Sequence, residues 1–301
     1  MKISNTSLFI ISAIIWGSTW YAITFQLGKV DPLVSAGYRF AIAGVLMLGF
    51  CKIFKLPLQF SLKTHLMMAL MGAILFGLNY WLVYLAETSI VSGLVALIFS
   101  TMIFFNILFN RMFLKASIKP RTLTGGLLGL AGTFLIFRTE ILGTHFTGPM
   151  VVAFILCMSA VILASLGNII SASQQKKQVP VIQANAFGMS YGAIINFLIA
   201  LALGKNFNFD MSTGYIVSLS YLAIFGSIIA FAAYLKLVGR IGPDQAVYVS
   251  IITPVMALLI STFLEDFHWS IYSLSGALLI ITGNYVALRK KQLHQQAPVG
   301  P

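Results

Sequence analysis

The chain has 301 residues, 59% of them hydrophobic and only 9% charged, with a formal net charge of +12. A water-soluble domain of this size carries about 25% charged residues, so most of this surface must face lipid. The basic excess forms no cluster interleaved with aromatics, which argues against a nucleic-acid partner and fits Lys and Arg held in loops on one side of a bilayer.

A membrane-crossing helix needs about 20 mostly apolar residues. Ten such runs are predicted: 7–26, 33–51, 66–86, 91–113, 122–138, 149–171, 181–203, 213–235, 245–264 and 270–288. The first follows a single lysine and has no small-residue cleavage site before Trp16, so it reads as a retained helix. Trp16 and Trp20 share one of its faces, and Gly17–Thr19 mark its centre. The second run carries Arg39, the one basic residue well inside a span. A charge there costs about 3 kcal/mol on insertion scales, so Arg39 must snorkel, pair with an acid, or meet a substrate carboxylate. The third run places Asn79 and Tyr80 near its middle, with Trp81 beside them; Tyr84 and Glu87 continue at helical spacing, Glu87 as a solvated acid on the rim.

The fourth run centres on Ser100–Thr101 and ends with Asn106 and Asn110 four apart. The sixth holds Cys157, Ser159 and Asn168; the seventh holds Asn185 and Asn196. Gly226–Ser227 lie at the centre of the eighth, and Ser250 and Thr253–Pro254 in the ninth. Pro254 removes a mid-helix backbone bond, which suits a gate but is also tolerated by membrane helices in general, and Thr253 beside it is placed to re-satisfy the freed backbone. Small and hydroxyl residues at this depth serve either close helix packing or a cavity. The asparagines serve chiefly as interhelical glue, with Asn106 and Asn168 in reach of the inner half of a cavity. The deep aromatics either pack or stack on an amphipathic ligand. The candidate site is therefore Trp16, Thr19, Trp20, Asn79, Tyr80, Trp81, Tyr84, Ser100, Thr101, Ser159, Ser227, Ser250 and Thr253, with Pro254, Arg39 and Glu87 as gating or charge candidates.

Ten spans put both termini on one face. With that face cytoplasmic, fifteen Lys and Arg fall inside and three outside, Arg39 completing the nineteen. The bias fixes the orientation. The chain also repeats itself. "FLKASIKPRTLTGGLLGLAG" (113–132) and "FLEDFHWSIYSLSGALLIITG" (263–283) share FL, a charged residue, a polar connection, L-[TS]-G, an apolar run and Gly. Their connections have opposite charge, basic in the first and acidic at Glu265 and Asp266 in the second. Five helices is an odd number, so a second copy enters from the other side and its loop charges are reset. The pairs Phe76-Gly77 and Phe225-Gly226, and Pro32 and Pro180, repeat in the same order. The reading is an all-α integral membrane protein with ten transmembrane helices, arranged as inverted five-helix repeats at 1–145 and 146–290 around a central cavity, with a polar cytoplasmic tail at 291–301. Inverted repeats suit alternating access to a site near the midplane.

The stretches "AIIWGSTWYAITF" (Ala13–Phe25) and "DPLVSAGYRFAIAGVLML" (Asp31–Leu48), with "ITGNYVAL" near Gly283, resemble the EamA-type family of the drug/metabolite transporter superfamily. The resemblance covers essentially the whole chain. It implies export of small metabolites, often amino acids or related compounds, across the bacterial inner membrane. It also implies a basket in which helices one, three, four, six, eight and nine line the cavity and five and ten are peripheral. Many members carry a proline in the fourth helix that matches one in the ninth; "FSTMIFF" here has none, so the two gates should bend unequally. A drug or nucleoside exporter of the same fold is the alternative, and a homodimer is allowed.

No His or acid is predicted at mid-span, His65, His145, His268 and His294 all reading as loop or tail residues, so no buried proton relay is expected. There is no Walker motif, no H-E-x-x-H and no Asp-rich diphosphate motif. The chain therefore implies no cofactor, no metal and no enzymatic activity, with an intramembrane enzyme or sensor as the disfavoured reading.

Overall fold

A computed structural model describes residues 3–90, 92–138, 142, 148–264 and 268–289. Glu265, Asp266, Glu140, His145, His294 and the tail lie outside them, as does the expected boundary between the repeats. All described regular structure is helical. The helices are α1 (Asn5–Thr24), α2 (Pro32–Ile53), α3 (Leu62–Glu87), α4 (Ser92–Ser100 and Met102–Leu114), α5 (Pro120–Ile136), α6 (Gly148–Lys176), α7 (Val181–Ala202), α8 (Thr213–Ile241), α9 (Tyr248–Leu264, after a short turn Pro243–Ala246) and α10 (Ile271–Leu288). Nine described segments are long and apolar enough to cross a membrane. The remaining helix, α5, has 17 residues, about 26 Å of axial length, and falls just short.

Polar side chains start the helices where the sequence provides them. Ser4 accepts from the Ser7 N–H, Asp31 from Leu33, Ser61 from Thr64 and Ser212 from Tyr215. Ser270 and Ser273 form a reciprocal capping box on α10. These interactions satisfy donors that the first helical turn leaves free. α3 begins at Leu62, so His65 belongs to its first turn and bonds the Tyr191 hydroxyl at 3.0 Å; the loop expected there ends earlier.

The duplication is visible in the packing. α5 and α10 run antiparallel, with Gly125 against Gly283 and Gly132 against Gly276. These are the glycines of the repeated L-[TS]-G…G frame, and the two contacts are equivalents of one another. A Cβ on Gly132 would stand 2.5 Å from the Gly276 carbonyl oxygen, and one on Gly276 would stand 2.5 Å from that of Gly132. α2 and α7 are also antiparallel, with Gly37 facing Phe197 and Gly44 facing Ser190. Equivalent helices of the two halves thus run in opposite directions, as inverted repeats require. α3 and α8 each widen into a π-helical stretch, Gly72–Leu78 and Leu222–Ile229, that contains the repeated Phe-Gly pair.

α4 and α9 bend differently from expectation. α4 is interrupted at Thr101 without proline: the Thr101 N–H bonds the Ile98 carbonyl at 3.1 Å, a three-residue turn in place of a four-residue one. α9 runs helical through Pro254, and Thr253 donates to the Val249 carbonyl at 2.8 Å. The carbonyl that Pro254 frees is that of Ser250, so Thr253 leaves it untouched.

Candidate functional site

Six helices enclose a chamber of about 80 Å³ at the seam between the halves. α1 contributes Trp16, Thr19, Trp20 and Ile23; α3 contributes Leu75, Asn79, Tyr80 and Val83; α4 contributes Phe99 and Met102. From the second half come Ala164 and Asn168 on α6, Phe231 and Tyr234 on α8, and Ser250, Thr253 and Pro254 on α9. These are the six helices that the family resemblance assigns to the cavity. Small-molecule sites are about 300–1,000 Å³, so the chamber in this conformation is constricted.

The walls are aromatic and hydrogen-bonded. The Trp16 ring lies 5.0 Å from Phe231 and 4.8 Å from Tyr234, and its indole N–H donates to the Gly226 carbonyl at 3.2 Å. Trp20 meets Phe99 edge-on at 5.6 Å. Asn79 donates to the Ala160 carbonyl at 2.6 Å, and Thr19 donates to that of Trp16 at 2.9 Å. The Gly226 carbonyl is available to Trp16 because the π stretch of α8 disturbs the regular backbone ladder there.

Other sequence candidates stand elsewhere. Ser100 and Thr101 turn their hydroxyls back to Leu97 and Ile98 of their own helix. Trp81 packs into a satellite cluster with Val30, Leu33 and Tyr215. Ser159 is half-buried on α6 and does not line the chamber. Ser227 sits behind the wall, where it accepts from Arg39 Nε at 2.9 Å.

Arg39 does not snorkel: it is fully buried, its guanidinium carbon 4.5 Å from the centre of the Tyr80 ring. Glu87 is no solvated rim group, for both carboxylate oxygens are buried. Tyr84 is fully buried, one turn before Glu87 on α3.

Phe231 and Tyr234 are chamber residues that the midpoint count misses. The count stops at Gly226–Ser227, but the wider π turn carries the chamber-facing stripe of α8 one turn further on. Their spacing of three was the available signal.

Two different surfaces close the ends. Towards the basic face, Asn168 donates to the Tyr234 hydroxyl at 2.9 Å and to Asn106 Oδ1 at 3.4 Å. One turn further, Asn110 donates to Asp244 at 3.0 Å. Beyond them opens a vestibule of about 840 Å³ lined by Lys119, Lys176, Lys236 and Arg240. At the opposite face, Lys29 pairs with Asp210 at 3.2 Å and Lys205 with Asp31 at 2.9 Å, joining the α1–α2 loop to the α7–α8 loop. The Asn208 side chain adds a bond to the Lys29 carbonyl at 2.8 Å.

The EamA-like transporter family model matches residues 5–138 and 150–289. The "Uncharacterized inner membrane transporter YedA" of Escherichia coli (strain K12) is 31% identical over 255 residues, covering 83% of this chain and 79% of that protein. The "Probable amino-acid metabolite efflux pump" of the same strain is 24% identical over 288 residues, 93% of each chain. A solved crystal structure shares the fold, with a TM-score of 0.77 at 18% identity over 94% of this chain and 96% of that one. An inverted helical basket, its aromatic chamber and a family match along nearly its whole length make this chain a member of the EamA-like transporter family, a multi-pass inner-membrane transporter and not an enzyme.

Proposed function

We propose that this protein exports small amphipathic metabolites, amino acids or related compounds, by alternating access between its two halves, with both termini in the cytoplasm. The observation that carries the reading is the chamber itself. It lies where the inverted halves meet, and its ring faces and few hydrogen-bonding groups suit a ligand with one apolar part and one polar part. The basic vestibule lies on the face that the charge bias assigns to the cytoplasm, so loading from inside needs only the asparagine layer to part. The relative named a probable amino-acid metabolite efflux pump supports the same substrate class.

Counterflow in proteoliposomes tests it. Vesicles preloaded with unlabelled amino acids should accelerate entry of the matching labelled compound. Acceleration by nucleosides or drug cations, with none by amino acids, would replace the substrate class with the alternative of the same fold. Chemical conversion of the compound would end the transporter reading.

A further inference from the structure

Folded proteins leave few buried polar side-chain atoms without a hydrogen bond, and a cluster of them demands a reason. Six such atoms gather at one end of the chamber: Trp20 Nε1, Arg39 Nη1 and Nη2, the Tyr84 hydroxyl, and both oxygens of Glu87. Arg39 and Tyr84 are fully buried. Tyr84 packs with Ile23, Trp20 and Tyr80, all three of which line the chamber. A Cβ on Gly226 would touch both Thr19 Cγ2 of the chamber wall and Arg39 Nη2, at 2.9 and 3.1 Å. Arg39 and Tyr84 therefore stand directly behind the lining, and Glu87 follows Tyr84 about one turn on along α3, on the side away from the basic vestibule.

The two charges have opposite sign and attract each other, but they form no direct ion pair. The ion pairs among the described residues are Lys29–Asp210 and Lys205–Asp31. Arg39 makes one well-formed hydrogen bond, from Nε to Ser227, lays its cation over Tyr80 and Phe40, and interacts more weakly with the Tyr84 hydroxyl. Buried charges left this way are costly unless something completes them. One ligand chemistry completes both at once: a group carrying an anion and a cation a few bonds apart.

We propose that Arg39, Tyr84 and Glu87 form the receptor for the zwitterionic headgroup of an α-amino acid. This rests on the amino-acid reading above and deepens it. The Arg39 Nη atoms receive the carboxylate, Glu87 receives the ammonium, and the Tyr84 hydroxyl donates to the carboxylate. The amino-acid side chain then projects among Trp16, Trp20 and Phe231. Tyr80 shields Arg39 in the constricted state and must yield its place over the cation as the headgroup enters.

Binding to the purified full-length protein in nanodiscs tests the assignment. The probes are tritiated L-phenylalanine, L-leucine and L-threonine, with L-phenylalaninamide and N-acetyl-L-phenylalanine as competitors. Blocking either charge should weaken competition about 10- to 100-fold, as loss of a charge-assisted contact does. Arg39→Gln should abolish the preference for L-phenylalanine over its amide while keeping the preference over the N-acetyl compound, and Glu87→Gln should do the reverse. Tyr84→Phe, which alters one atom, keeps the test open if Arg39→Gln does not insert; it should weaken the acid and spare the amide. Equal competition by the blocked compounds overturns the headgroup site while leaving amino-acid export standing. A uniform loss for every compound in all three variants overturns it as well. If no amino acid binds, both readings fall together.

Discussion

Trp16 shows how one side chain ties ligand contact to backbone geometry. Its ring forms wall with Phe231 and Tyr234, and its N–H holds the Gly226 carbonyl in the π stretch of α8. Trp16→Phe keeps a ring and loses that bond, a deficit of about 1 kcal/mol, so kcat/KM for counterflow should fall roughly fivefold. Trp16→Ala and Tyr80→Ala should abolish counterflow at normal membrane abundance. Wild-type rates in the alanine variants would reduce these rings to packing. At this scale the sequence is uneven. Trp16, Trp20 and Tyr80 were legible as candidates because they lie too deep for interfacial anchors, which leaves packing or a cavity wall. Arg39 was legible as an anomaly, but its partners were not, since Ser227 and Tyr80 reach it from other helices. Glu87 misled because proximity to a helix end in sequence says nothing of what folds over it.

Helices carry the duplication more plainly than residues do. The L-[TS]-G…G frame looks in sequence like an echo around a loop; in space its glycines are the points where α5 and α10 touch through backbone. Equivalence makes a quantitative demand. Gly132→Ala and its equivalent Gly283→Ala each place a methyl against the other helix's carbonyl, and each should destabilise the protein by about 1–3 kcal/mol through overpacking. Thermal unfolding in detergent should drop by similar amounts for both, whereas Gly132→Ala combined with Gly276→Ala should lose less than the sum of its singles because those two sites touch. Unequal single effects would mean that the duplicated frame no longer has duplicated duty. The π stretches and the Thr101 interruption were not legible, because neither has a residue signature as strong as proline. The repeated Phe-Gly marked only the equivalence of α3 and α8, and nothing in "FSTMIFF" announced the second.

Across the whole molecule, one end of the chamber has a wide basic vestibule and the other a band of loop contacts between the halves. Charge counting predicts that the basic face is cytoplasmic. Cysteines at Ser117 and Ser270 should therefore react with impermeant reagents from opposite sides; reaction from one side would break the inverted topology. On that orientation the loop band is the external closure and the asparagine layer the cytoplasmic one. Its two ion pairs exchange a lysine and an aspartate in each direction. Surface pairs are individually weak, which suits a latch that must open in every cycle. With Asp31→Asn and Asp210→Asn together, the closure should loosen, and a cysteine at Ile23 should be labelled faster from the external face. Raising salt from about 0.1 to about 1 M, which shortens the screening length from about 10 to about 3 Å, should speed labelling of the wild-type latch and leave the double variant unmoved. Acid has a defined sign. The Ser212 backbone N–H, with help from its hydroxyl and Lys29, holds the Asp210 carboxyl below the ordinary carboxylate range. A depressed value means that the pairing is complete above the ordinary Asp value, about 3.9, and is lost as pH falls through the lower one. Labelling at Ile23→Cys should thus be flat from pH 7 to about 5, once corrected for thiol ionisation, and rise only in stronger acid. A rate indifferent to the double substitution, to salt and to acid would show that closure rests on the packing of α1 against α8, and that the four loop charges merely sit above it.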